Sequence, residues 1–159
     1  MIVYINGNDN RCKQLAKLMI ADGYQIQEDS RLISSCDIIY LGKDGQGFEQ
    51  VDFKNNAVVL SLLKNQRLCY LSKLKGFNYR YLYSDEDFVV ENTHISDEAV
   101  IAYMIIDNSI SLSNSNVLIL GYGHCGRDLA AKLEKFNAKV SISNRSDHYH
   151  DEVVEKGYR

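Results

Sequence analysis

The residues with the clearest chemical purpose lie late in the chain, in "NVLILGYGHCGRDLAAKL", Asn116 to Leu133. Gly121, Gly123 and Gly126 stand in the order G-x-G-x-x-G, with Tyr122, His124 and Cys125 between them. An apolar run precedes this turn and a helical period follows it. In that setting each glycine has its own task. Gly121 permits the tight turn off a strand, Gly123 lets the backbone approach a pyrophosphate, and Gly126 allows close helix–strand packing. The helix then offers unpaired N–H groups and a partial positive charge to the phosphates. The alternative is a glycine-rich turn that only packs a βαβ unit. The flanking strand, helix and second strand "AKVSIS" favour the dinucleotide reading.

The end of that second strand selects the nucleotide. Sites for NAD place an acid there, to accept hydrogen bonds from the ribose 2′-OH. Here Asn144, Arg145 and Ser146 occupy the position, and Asp147 falls one step into the following turn. A guanidinium pairs with a 2′-phosphate and lies flat on adenine. Asn144 and Ser146 can add neutral hydrogen bonds. The other reading of Arg145 is an exposed loop cation. The expected cofactor is NADP(H), with NAD(H) as the alternative.

These residues need a scaffold, and the rest of the chain reads as one. "IVYIN" is a short buried strand, and the helix after it starts at a cap supplied by Asp9 or Asn10 and closes at Gly23. "YQIQ", "CDIIYLG", "NAVVLSLL" and "YRYLYS" read as further strands, the middle two nearly continuous in apolar residues, as buried parallel strands are. "QRLCYLSKLKG" reads as a helix stopped at Gly76. Alternating strands and helices predict an α/β fold: a small flavodoxin-like parallel-sheet domain, then a truncated Rossmann βαβ unit. The expected division is residues 1–92, a connecting helix and linker over 93–112, and the dinucleotide-binding unit over 113–159. The connecting helix is expected from Ser96, its N-cap, to Asn108. "NVLIL" is expected to be buried, and the apolar face of the next helix to hold Cys125, Leu129, Ala130, Leu133 and Phe136. Arg159 comes after two strands of a sheet that usually has six, hence the expectation of a truncated unit, inactive alone.

Composition narrows the function classes. The 159 residues are 45% hydrophobic and 25% charged, with a net charge of -3 and no proline. No basic cluster marks a nucleic-acid surface. No apolar run approaches the roughly 18 residues of a membrane span, and the amino terminus lacks the charged region of a signal peptide. Cys12, Cys36, Cys69 and Cys125 are far apart, which suits reduced thiols of a cytoplasmic protein. The four histidines form no metal-ligand pattern, and no metal is expected. An open sheet edge at "KVSIS" favours association, so a homo-oligomer is expected.

The run from "YLYSDEDF" through "ENTHISDEAVIAYM" to the glycine turn and "SISNRS" resembles the A subunit of bacterial dipicolinate synthase. In that family a segment of the type N-S-I-P-T-x-E-G precedes a long helix, and Asn92, Thr93, Ser96 and Glu98 match it in place or by type. "GNDNRCKQLAKLM" is similar to the family's G-G-D-x-R turn, carried by Gly7, Asp9 and Arg11. The "SNRS" end also looks like the NADP-binding "N-R-T" of shikimate dehydrogenases. The resemblance covers nearly the whole chain, with residues 43–75 matched least. It implies a nicotinamide-dependent oxidation giving pyridine-2,6-dicarboxylate, and a flavoprotein-like second subunit. "NTHIS" lacks the family's proline.

Candidate substrate residues follow from this and from position. Asp9 and Arg11 sit after the first strand, where α/β proteins bind ligands. Arg11 can hold a carboxylate, or Asp9 is only a cap and Arg11 a surface charge. Asn92, Ser96 and Glu98 are expected at a cleft between domains, although Glu98 also suits the first turn of a helix. No nucleophile–base pair is supported by spacing, so catalytic residues stay unassigned. Three functions are open: the amino-terminal portion of an NADP-linked oxidoreductase, a non-enzymatic nucleotide-binding or partner-subunit module, and a small dehydrogenase completed by homodimerisation.

Overall fold

The computed structural model describes residues 1–108, 111–145 and 147–159. The chain divides into two compact units, Met1–Glu86 and Asp87–Arg159.

The first unit is a parallel five-stranded sheet of order β2-β1-β3-β4-β5. Its strands are β1 (Ile2–Ile5), β2 (Gln25–Gln27), β3 (Ile38–Tyr40), β4 (Val58–Ser61) and β5 (Asn78–Tyr81). This is the flavodoxin-like order, whose switch point lies between the first and third strands. The register is in step across the centre, with Tyr4 opposite Ile39 and Ile39 opposite Val59. Ile39 and Val59 are fully buried there, with Cys36, Leu68, Phe53 and Phe77 around them.

Two helices serve this sheet. In α1 (Asn10–Ala21) the Asp9 carboxylate accepts from the Cys12 amide at 2.8 Å. In α2 (Gln66–Lys75) the Asn65 side chain accepts from the Leu68 amide at 3.0 Å, and Gly76 ends the helix at φ 76°, where a glycine adopts the left-handed region without cost. Asn65 also donates to Glu49 at 3.0 Å, tying the long loop before β4 to the helix. Asn65→Ala removes both bonds, and we expect a loss of about 1 kcal/mol at an unchanged m-value in urea. A loss within error would show that water replaces the cap. The segment after β2, not assigned an element from sequence, forms a 3₁₀ helix over Ser30–Ser35, and "YRYLYS" leaves its strand at Tyr81 for another over Leu82–Ser84.

The second unit opens with α3, which runs from Glu86 to Asn108 and so begins ten residues before the expected start. Ser96 is therefore not an N-cap. Its hydroxyl donates to the Asn92 carbonyl at 2.8 Å, the backward bond of a serine inside a helix. The physical reason is in the sequence: Glu86 to Ser96 contains neither glycine nor proline, so nothing interrupts the helix there. One face of α3 is buried, at Thr93, Asp97 and Ile101.

The βαβ unit follows as β6 (Asn116–Leu120), α4 (His124–Lys135) and β7 (Lys139–Ser143), with β6 and β7 parallel and in continuous register. A short helix, α5 (His150–Glu155), completes it. Ile119, Val140, Ala130 and Leu133 form its core with Ile101 and Tyr122. Two expectations are corrected here. Leu118 and Leu120 are 62% and 80% exposed, so β6 is buried on one face only. Cys125 and Phe136 are exposed as well, leaving Leu129, Ala130 and Leu133 as the working apolar face of α4. Strand side chains alternate between faces, and the core of this unit takes only one of the two.

Candidate dinucleotide site and the charged cluster beside it

The glycine turn is built by its neighbours. Gly121 leaves β6 at φ 111°, a backbone state that other residues avoid. Its amide donates to the Ser143 carbonyl at 2.8 Å, which brings the carboxyl end of β7 beside the turn. Asn144 and Arg145 follow directly, and Arg145 is exposed. Ser146 lies outside the described residues. Gly123 is the N-cap of α4, with no side chain capping the first-turn amides. A Cβ at Gly123 would meet nothing within 4 Å, whereas one at Gly126 would overlap the carbonyl oxygen of Gly121. The turn thus offers amide donors and open space at one glycine, and close packing at the other.

The side chains of the turn divide their work. Tyr122 is 1% exposed, so only its backbone can face a ligand. Its ring meets Tyr149 and Tyr158 edge-on at 5.9 and 6.2 Å. Burial, above all, raises the pKa of its phenol. Arg127 lies over the Tyr149 ring at 4.3 Å and pairs with Glu152 at 3.1 Å, which braces α4 against α5. This aromatic–arginine brace was not expected from sequence. Its one signal there is the pair Tyr149 and Tyr158 in "DHYHDEVVEKGY".

A second group was likewise not expected. His94 Nδ1 lies 2.8 Å from Asp128 Oδ1, and Lys132 Nζ lies 2.8 Å from Asp128 Oδ2. Lys132 also donates to the His94 carbonyl at 2.7 Å, so one ammonium bridges α3 and α4. Asp97, 2% exposed, sits beside Asp128. Burial first, and then the hydrogen bond to the Asp128 carboxylate, push its pKa up to about 6. The Asp128 carboxyl is held below its usual value by its bonds to Lys132 and His94, against its own burial. With Val90, Thr93, His124 and Arg127, His94 and Asp128 line a cleft of about 250 Å³ at the start of α4. The i, i+4 spacing of Asp128 and Lys132 on α4 is visible in the sequence. A helix that starts at Ser96 leaves His94 outside it, which hides the rest of the group.

The expected substrate residues are more scattered. Asp9 is the cap of α1, and Arg11 stands 3.8 Å from it, both on the surface of the first unit. The Cys12 amide bond is the main reason the Asp9 pKa is lowered. Asn92, Ser96 and Glu98 belong to the second unit, Asn92 half-buried and the other two exposed on α3. Among the described residues no group of three is placed to hold a metal ion, and no helix is long and apolar enough to cross a membrane.

No protein-family model matches the chain. An adenosylhomocysteinase from Haloquadratum walsbyi is 32% identical over 53 residues, 33% of this chain and 12% of its own length. An NAD-dependent formate dehydrogenase from Staphylococcus aureus, solved in complex with NAD, and a phosphoglycerate oxidoreductase from Vibrio cholerae share the fold at lower similarity, with TM-scores of 0.50 and 0.55. The A subunit of dipicolinate synthase from Bacillus halodurans superposes with a TM-score of 0.72 at 21% identity, over 99% of this chain and 66% of its own. Its counterpart in the Bacillus subtilis enzyme gives 0.71 at 19%, and this chain spans 64% of its length. In fold, then, the chain is similar over nearly its whole length to about two thirds of the dipicolinate synthase A subunit.

Proposed function

We propose that the second unit binds the adenosine half of a nicotinamide dinucleotide. In this reading the chain is the amino-terminal portion of an NADP-linked oxidoreductase like the dipicolinate synthase A subunit. The observation that carries it is the contrast within the turn. Gly126 has no room for a side chain because of Gly121, while Gly123 has open space in front of bare helix amides. A turn that only packed the unit would need the first and not the second. The pyrophosphate lies against the amides of residues 122–126, and the adenosine against Asn144, Arg145 and Ser146. A protein of similar fold, the NAD-dependent formate dehydrogenase, was solved with NAD, which supports a nicotinamide dinucleotide as the ligand.

Within this reading Arg145 selects the 2′-phosphate. Asp9, Arg11, Asn92, Ser96 and Glu98 are the candidates for a small dicarboxylate substrate, and a flavoprotein-like second subunit is the proposed partner. Calorimetric titration with adenosine 2′,5′-bisphosphate and 5′-ADP tests the assignment. We expect the bisphosphate to bind more tightly, and Arg145→Ala to cost it about tenfold more affinity than it costs 5′-ADP. Equal affinities in the parent chain would move the assignment to NAD. Binding of neither ligand would leave the turn as packing alone.

A further inference from the structure

The charges of the cluster beside the turn do not balance. Asp97 and Asp128 bring two negative charges into a mostly buried place, and Lys132 brings one positive charge. One added proton would balance them, since an unpaired buried carboxylate is costly. Asp97 Oδ2 is buried, and no N–H or O–H donor among the described residues reaches it, so an ionised Asp97 is poorly satisfied there. His94 differs from the two carboxylates in facing outward. Its side chain is 45% exposed and lines the cleft together with His124 and Arg127 from the first turn of α4. The groups around His94 are thus Asp97 on α3, and His124, Arg127, Asp128 and Lys132 on α4. With Nδ1 held by Asp128, the imidazole is oriented before any ligand arrives.

We propose that the His94–Asp97–Asp128–Lys132 cluster takes up a proton from solvent when a phosphate-bearing ligand settles at the start of α4, which makes binding there proton-linked. The inference rests on the nucleotide reading above. An anion at the cleft favours the charged imidazolium and disfavours a second free carboxylate, and both effects draw a proton into the same four residues. The proton enters at the imidazole or at Asp97, and no bond of the ligand is made or broken.

The test is calorimetric titration of the full chain with NADP+ at pH 7, in two buffers of different ionisation enthalpy. Uptake of a fraction of a proton is expected, with binding about threefold tighter at pH 6 than at pH 8. The 2′-phosphate of the ligand titrates in this range too, so the diagnostic quantity is the difference from the His94→Gln/Asp97→Asn double variant. That variant should bind NADP+ and lose the protein's share of the uptake. Should it fail to fold, carbon-13 spectra of the parent chain labelled at histidine and aspartate give the same answer. His94 or Asp97 should then shift toward its protonated position when NADP+ is added. Binding with no protein-derived uptake, uptake that survives in the double variant, or uptake abolished by His124→Gln alone would each overturn the proposal. No binding of NADP+ under any condition would instead remove the nucleotide reading itself.

Discussion

Gly126→Ala is expected to destabilise the second unit by about 3 kcal/mol and to abolish nucleotide binding, while Gly123→Ala abolishes binding alone. The added methyl at position 126 would overlap the Gly121 carbonyl oxygen and stand 3.0 Å from its carbon. Neither can retreat cheaply. Gly121 sits at φ 111° and its amide holds the Ser143 carbonyl at 2.8 Å, so pushing it aside frees the end of the β6–β7 ladder. At Gly123 the backbone has φ -83°, which alanine adopts, and its methyl meets no protein atom. Only a ligand would meet it. Urea unfolding followed by hydrogen exchange in β6 and α4 measures the first effect, and titration with adenosine nucleotides the second. A Gly126→Ala chain as stable as the parent would show that the turn relaxes in a way this geometry does not allow.

Asp97→Asn should stabilise the protein by about 2 kcal/mol at pH 8 and should have no effect near pH 4. The sign follows from the direction of the shift. In the unfolded chain this carboxyl titrates near its ordinary value of 3.8, and in the fold at about 6. Between those values the folded state holds a proton that the unfolded state has released, so stability from this group falls as pH rises through that window. Above the folded value the full penalty for a buried charge beside Asp128 is present. Asparagine is neutral at every pH, keeps the shape, and can donate to Asp128. Carboxylates such as Asp37, paired with Lys54 at 2.5 Å, have the opposite sign, because their pKa is lowered and their contribution is lost as pH falls. Thermal unfolding of both chains from pH 4 to pH 8 separates the two behaviours. A difference that stays constant across this range would mean that Asp97 is ionised in the fold throughout.

Much of the scaffold was readable because its signals are local. Apolar runs of four or five residues closed by Gly7, Gly42 or Gly121 mark strand ends, and Asp9 and Gly76 mark helix ends through bonds to residues three or four away. The dinucleotide turn belongs to the same class: three glycines, a preceding strand and a following helix lie within one window, and their roles depend on backbone geometry that any sequence with that spacing meets. The pairing of β6 with β7 was implied by the same pattern, since parallel strands joined by one helix become neighbours.

What only the tertiary structure decided is how α3 and α4 lie against each other within the second unit. Ser96 carries every local mark of a helix start, and yet the helix passes through it, because the preceding ten residues include no breaker. That continuation places His94 and Asp97 on the face that meets Asp128 and Lys132. The result is a buried, charge-imbalanced cluster from residues 38 positions apart. The exposure of Leu118 and Leu120 has the same origin, since an apolar strand does not say which of its faces will be covered. Sequence by itself determined most of the elements and the glycine turn, because these rest on neighbouring residues and backbone sterics. Packing determined which ionisable groups come within reach of one another, because that depends on distances that no spacing along one chain can supply.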